Sequence, residues 1–140
     1  MKHTIFSSTL LIMLSLALAP NAQADKKISP KVINGAKTVN AQQAKKLFDQ
    51  GVIFVDVRKD KDFAAGRVPD AVHIDLKKIY NKDTLAKHVK KDQPVVIYCN
   101  GHKCIRSAKA SEMAVAWGYK KVYYYRDGFP SWKKSGYPVE

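Results

Sequence analysis

The stretch that decides the fold is PVVIYCNGHKCIRSAKASEMAVAWG, Pro94 to Gly118. Its first part, Pro94 to Cys99, is a run of β-branched and aromatic residues with the length of a strand buried on both faces. Its last part, Arg106 to Gly118, repeats apolar residues at helical spacing. Ala110, Met113, Ala114 and Trp117 fall at i, i+3, i+4 and i+7 and define an inward face, and Gly118 stands where a C-terminal cap belongs. Between strand and helix lie both cysteines of the chain, Cys99 and Cys104, with His102, Lys103 and Arg106 around them.

Working outward, the same alternation recurs. NAQQAKKLFDQG, Asn40 to Gly51, predicts a helix capped by Asn40, with Ala44, Leu47 and Phe48 on one face and Gly51 as its stop. VIFVDV, Val52 to Val57, follows as a buried strand, and AVHIDL, Ala71 to Leu76, as a second short one after the turn at Pro69. KDTLAKHVKKD, Lys82 to Asp92, predicts a helix capped by Asp83 with Leu85 and Val89 inward. KKVYYY, Lys120 to Tyr125, supplies a last strand with at least one tyrosine ring packed inward. Strands alternating with helices through short connections specify an α/β fold, a parallel sheet of about five strands with helices on both faces.

The N-terminal end has a different composition. Lys2, an apolar run from Ile5 to Ala19 and the small-x-small site Ala22-Gln23-Ala24 read as a secretory signal peptide over residues 1–24. That run falls short of the roughly 20 residues that cross a bilayer. The expectation is an exported chain, free of the membrane after cleavage and periplasmic where the source has two membranes. Residues 25–38 read as a loosely ordered lead-in to one domain over 39–140, a length that buries a single core.

The chain carries 25 Lys and Arg against 12 Asp and Glu, a formal net charge of +13. Its lysines are scattered in pairs, so the field attracts anions without naming one. No zinc-finger spacing, basic helix or aromatic-studded RNA motif accompanies the charge, and nucleic acid is not an expected partner. Metal binding by Cys99, His102 and Cys104 lacks the usual four ligands. His73 reads as a strand residue and His88 as a solvated one.

In open parallel sheets, ligands bind beyond the carboxyl ends of strands, where a loop leads into the next helix. Cys99 stands at such an end and Arg106-Ser107 opens the following helix, so the loop N–H groups and the helix N-terminus offer an anion site. The same groups favour a thiolate, with Lys103, Arg106 and His102 adding to the effect. The residues alone therefore predict a nucleophilic or redox thiol in an anion-binding loop.

VIFVDVRKDKDFAAGRVPDAVHIDL resembles the first half of a rhodanese domain, with its strand ending in Asp-x-Arg. The family's Gly-His-Ile-Pro-Gly-Ala turn is represented by Gly66-Arg67-Val68-Pro69-Asp70-Ala71. VVIYC, RSAKASEMAVAWG and the closing Gly128-Phe129-x-x-Trp132 segment resemble its second half, and the likeness runs from about Val39 to Glu140. The resemblance implies a sulfurtransferase without a cofactor, whose cysteine accepts sulfane sulfur as a persulfide from a small anionic donor, thiosulfate by family default. A thiol or other nucleophile is the acceptor.

Carried onto this chain, the resemblance makes Cys99 the persulfide-forming nucleophile. Asn100, Gly101, His102, Lys103, Cys104 and Ile105 supply the N–H groups that hold the outer sulfur. Arg106 closes the loop, Ser107 begins the helix, and Asp56 and Arg58 brace the chain nearby, unless they form an ordinary surface pair. Trp132 is a packing residue. Six residues separate Cys99 from Arg106, a longer loop than is typical of the family's single-domain sulfurtransferases. Cys104 leaves three readings open: a reversible disulfide in a thiol redox protein, a resolving thiol that makes a sulfurtransferase release sulfide, or a structural disulfide in a non-catalytic binding domain.

Overall fold

The structure is a computed structural model that describes residues 27–140. The expected signal peptide lies outside the described residues. Ten elements alternate along the chain: β1 Ala36–Thr38, α1 Ala41–Asp49, β2 Ile53–Asp56, α2 Asp60–Ala65, β3 Val72–His73, α3 Lys82–Ala86, β4 Pro94–Tyr98, α4 Arg106–Ala116, β5 Lys121–Tyr125 and α5 Gly128–Lys134. The five strands form one sheet in the order β1-β5-β4-β2-β3, and every pairing is parallel. This is the expected α/β architecture.

β4 is the central strand because its side chains are apolar on both faces. Val95 and Ile97 enter one core with Leu85, Ala110 and Ala114, while Val96 and Tyr98 enter the other with Phe54, Phe129 and Trp132. These four residues are fully buried. Helices α3 and α4 cover the first face, and α1 and α5 the second. Trp132 is 0% exposed and meets Phe48 and Phe54 edge-on, the packing role expected of it. Tyr124 and Tyr125 are likewise fully buried, and Tyr125's phenol is pushed up to about 12 by burial. Among the described residues no helix is long and apolar enough to cross a membrane.

Helix α1 follows its sequence closely. The Asn40 Oδ1 accepts the Gln43 N–H at 2.9 Å and the Gln43 Oε1 accepts the Asn40 N–H at 3.0 Å, a reciprocal cap that satisfies two orphan donors. Helix α3 is capped by Asn81 rather than Asp83: its Oδ1 accepts the Thr84 N–H at 2.9 Å, which leaves Asp83 in the first turn. The strand expected over Ala71–Leu76 keeps only Val72 and His73. Asp75 bends the chain there, because its carboxylate accepts the Lys77 N–H at 2.9 Å and its carbonyl accepts three further N–H groups.

Two other expectations are corrected. The buried stripe of α4 is Ser107, Ala108, Ala110, Ser111 and Ala114, while Met113 is 36% exposed and Trp117 only half-buried. Small serines fit against the sheet where hydropathy favours Met113. The lead-in is also part of the fold. Ala36–Thr38 pair with β5, Ile33 is buried against Ala108 and Tyr124, and Arg126 donates to the Ser29 carbonyl at 2.8 and 3.2 Å.

Candidate active site

Cys99 follows the last residue of β4 and is 1% exposed. Its carbonyl points at the start of α5, where the Phe129 N–H donates to it at 2.9 Å. That approach demands a glycine at position 128. Gly128 has φ +65°, and a Cβ there would stand 2.2 Å from the Cys99 carbonyl oxygen. The closing Gly-aromatic segment thus pins the backbone of the cysteine that the sequence singles out.

Beyond Cys99 the chain turns outward. Asn100, His102 and Lys103 are exposed, Gly101 is buried, and Cys104 and Ile105 are half-buried. The Cys104 N–H closes a turn on the Gly101 carbonyl at 3.0 Å. Cys99 and Cys104 are joined as a disulfide, with their Cα atoms 6.4 Å apart. Arg106 then opens α4, an 11-residue helix that has no side-chain cap. Its first N–H groups have no side-chain acceptor, so its positive end is open to a thiolate or an anion.

Asp56 and Arg58 are not a surface pair, for their side chains are 0% and 3% exposed. The Arg58 Nε donates to both carboxylate oxygens, at 2.9 and 3.0 Å, and Nη2 donates to Oδ2 at 2.6 Å and to the Gly66 carbonyl at 2.7 Å. Nη1 reaches the Asn100 Oδ1 at 3.3 Å. Burial alone lowers the Arg58 pKa, but the hydrogen bonds and charge of Asp56 outweigh it and the net direction is up. The guanidinium also lies 4.5 Å from the centre of the Phe129 ring. From its other side Asn100 donates to Asp62 Oδ2 at 3.1 Å.

The remaining expected residues divide. His102 pairs with Asp127 at the β5–α5 corner, and its carbonyl accepts the Ser29 N–H at 2.7 Å. Lys103 is exposed beside an open cleft of about 540 Å³ lined by the loop from Asn100 to Lys103 and by Asp127, Pro130, Ser131 and Lys134. Ser107 is buried, and its hydroxyl has no hydrogen-bond partner. Arg106 has other partners: its Nη1 donates to Asp75 Oδ1 at 2.8 Å and to the Val57 carbonyl at 3.1 Å. Its charge is taken up in joining α4 to the segment after β3. Among the described residues no group of three or more His, Cys, Asp and Glu side chains is arranged to hold a metal.

Sequence reasoning missed Ser29, Asp62, Asp75, Asp127 and the backbone role of Gly128. Gly128 had a signal, since it opens the Gly-aromatic segment. The others had none, because a single polar residue in a loop does not reveal its partner.

Residues 40–135 match the model of the rhodanese-like domain. The chain belongs to that family. The thiosulfate sulfurtransferase GlpE of Pseudomonas savastanoi pv. phaseolicola is 36% identical over 104 residues, which cover 74% of this chain and 92% of that protein. A rhodanese-like domain protein from Staphylococcus aureus superposes with a TM-score of 0.58 at 28% identity, covering 69% of this chain and 90% of the other. The human single-domain sulfurtransferase TSTD1 superposes with a TM-score of 0.61, covering 71% and 96%, and at 22% identity it shows the shared fold. The rhodanese-like assignment accounts for why the nucleophile candidate, the buried Asp-x-Arg pair and the closing Gly-Phe-x-x-Trp segment all meet at one edge of the sheet.

Proposed function

We propose that this protein is an exported sulfurtransferase that carries sulfane sulfur as a persulfide on Cys99. The donor is a small anion of the thiosulfate class and the acceptor a thiol or another nucleophile. The observation that carries the reading is the position of Cys99, directly beyond β4 and before the uncapped start of α4, with its carbonyl held by Phe129. The relatives named thiosulfate sulfurtransferase support the donor class.

In this scheme the reduced Cys99 thiolate attacks the outer sulfur of the donor, and sulfite leaves. The acceptor then removes the outer sulfur, so one transfer becomes two easier steps. The backbone N–H groups of Asn100 to Lys103 and Ile105, the Cys104 N–H being taken by the Gly101 carbonyl, and the first turn of α4, beginning at Arg106 and Ser107, stabilise the thiolate and later the charged outer sulfur. His102, Lys103 and Lys134 border the cleft and favour an anionic donor. Arg58, itself fixed by Asp56, holds Asn100 in place together with Asp62. The leader-like N-terminus supports export to the periplasm, and N-terminal sequencing of the mature protein checks it.

The decisive measurement is mass spectrometry of the reduced protein after thiosulfate treatment, with sulfite assayed in parallel. Wild type gains one sulfur atom or its equivalent in released sulfide, and Cys99→Ser gains nothing. Loading by Cys99→Ser removes the assignment, and no sulfite or sulfur transfer in wild type removes the function. The Cys99–Cys104 bond favours a second reading, a thiol redox protein. It would exchange with dithiols at speed while taking no sulfur from thiosulfate.

A further inference from the structure

This inference rests on the sulfurtransferase reading and concerns Cys104, to which that reading gives no side-chain role. The Cys99 and Cys104 sulfurs are already bonded, so the fold brings the second thiol within reach of the first. Contacts that do not depend on this bond hold the intervening loop. Cys104 N–H donates to the Gly101 carbonyl, Ser29 N–H donates to the His102 carbonyl, and the His102 ring meets Asp127. Opening the disulfide therefore leaves Cys104 beside Cys99, at the high effective concentration of an oriented neighbour.

The two sulfurs are not equivalent. Cys99 is 1% exposed and Cys104 is half-buried, so an external thiol reaches Cys104 first. Cys99 directly follows β4 and its carbonyl is held by the Phe129 N–H, so it is the inner, fixed member of the pair. Exchange through Cys104 thus has the better access.

We propose that Cys104 is the resolving thiol of this site and makes the protein a sulfane-sulfur reductase that releases sulfide. The Cys104 sulfur attacks the inner sulfur of the Cys99 persulfide. The Cys99–Cys104 bond forms, the bond to the outer sulfur breaks, and hydrogen sulfide anion leaves with the Cys104 proton. The sulfane sulfur is reduced to sulfide while the two cysteines are oxidised to a disulfide, a balanced two-electron exchange. A dithiol reductant then attacks Cys104 and forms a mixed disulfide there as Cys99 leaves. Its second thiol closes the reductant's own disulfide and frees Cys104. The external co-substrate is thus a dithiol, and the products are sulfite and sulfide.

The test is a single turnover of reduced protein, freed of reductant and given thiosulfate, with sulfite, sulfide and protein mass all measured. Wild type should release about one sulfide for each sulfite without added thiol and end as the disulfide. Cys104→Ser should release sulfite, keep the extra sulfur on Cys99 and yield sulfide only when dithiothreitol is added. Cys104→Ala serves as the second variant if serine disturbs the loop. Wild type that keeps the added sulfur and yields sulfite alone overturns the resolving role and leaves the sulfurtransferase reading standing. Absence of sulfite and of added sulfur in every protein overturns both. The point of entry is checked on oxidised wild type given glutathione, quenched with acid, alkylated and mapped by peptide. Glutathione on Cys104 with alkylated Cys99 is expected, and glutathione on Cys99 overturns the assigned direction.

Discussion

The turn after β2 and the turn after β4 lie side by side at the carboxyl edge of the sheet, and they are built in opposite ways. In the first, Asp56 and Arg58 are almost wholly buried and bonded to one another, to Gly66 and to Asn100. In the second, Asn100, His102 and Lys103 face solvent and the two cysteines are joined as a disulfide. The cysteine loop takes much of its shape from neighbours: Arg58 grips Asn100, Phe129 grips the Cys99 carbonyl, and Ser29 grips His102. Under the proposed function, stability and reactivity are therefore assigned to adjacent but different turns.

The sharpest way to break that contrast is to remove Asp56. Asp56→Ala strands a guanidinium that is 3% exposed, and losing one partner of a buried pair costs about 3–5 kcal/mol. Denaturant unfolding of the reduced protein should show this loss, whereas Cys99→Ser should abolish sulfur loading with a much smaller change in stability. A cost under about 1 kcal/mol for Asp56→Ala would be that of a surface pair, and the contrast would fail.

Gly128→Ala comes next. The new Cβ meets the Cys99 carbonyl in a backbone conformation that disfavours side chains, and a loss of roughly 3 kcal/mol is expected. Because the displaced group is the backbone of Cys99, sulfur loading should fall together with the unfolding midpoint. Intact loading in a destabilised variant would show that the α5 corner supports the fold alone.

Reducing the disulfide should cost less. The cysteines are separated by five positions in sequence, and the loop-entropy treatment gives about 2 kcal/mol for a loop so short. Thermal unfolding of the oxidised and reduced forms should therefore differ by several degrees while both remain folded. Collapse of the reduced fold would make the bond structural and would contradict a site that cycles.

The contrast between the turns also explains what the sequence disclosed. β2, β4 and β5 are legible because Val, Ile, Phe and Tyr runs have one reading beside turn residues, and α1 is legible because Asn40 and Gln43 are three apart in a reciprocal cap. Helix α2 has no buried residue and hence no apolar period, and α5 opens on a glycine that reads as a breaker. The place of the cysteine loop between strand and helix was legible, and the rhodanese resemblance names its candidate nucleophile. Its grips were not found, because the Ser29–His102 and Phe129–Cys99 contacts are made by backbone atoms that every residue carries.

The smallest expected effect separates two uses of Arg106, as a donor-binding charge or as the bond that ties α4 to the chain after β3. Burial pushes the Asp75 carboxyl up, but the Lys77 N–H and the Arg106 guanidinium together hold it below its ordinary value of 3.8. A carboxylate whose folded pKa is lowered contributes stability that is present above the ordinary pKa and is lost as pH falls through the folded one. Asp75→Asn should therefore cost about 1 kcal/mol at neutral pH and flatten the acid limb of the stability profile below pH 3.8. Arg106→Gln should flatten the same limb, because Asp75 loses the guanidinium that lowers its pKa. In a single-turnover assay, the thiosulfate concentration needed for half-maximal loading should stay within about twofold of wild type for Arg106→Gln, since the guanidinium is bonded to Asp75 and Val57. A rise of tenfold or more with the acid limb unchanged would instead place Arg106 on the donor, and the β4 turn would then supply its own binding charge rather than rely on its backbone and its neighbours.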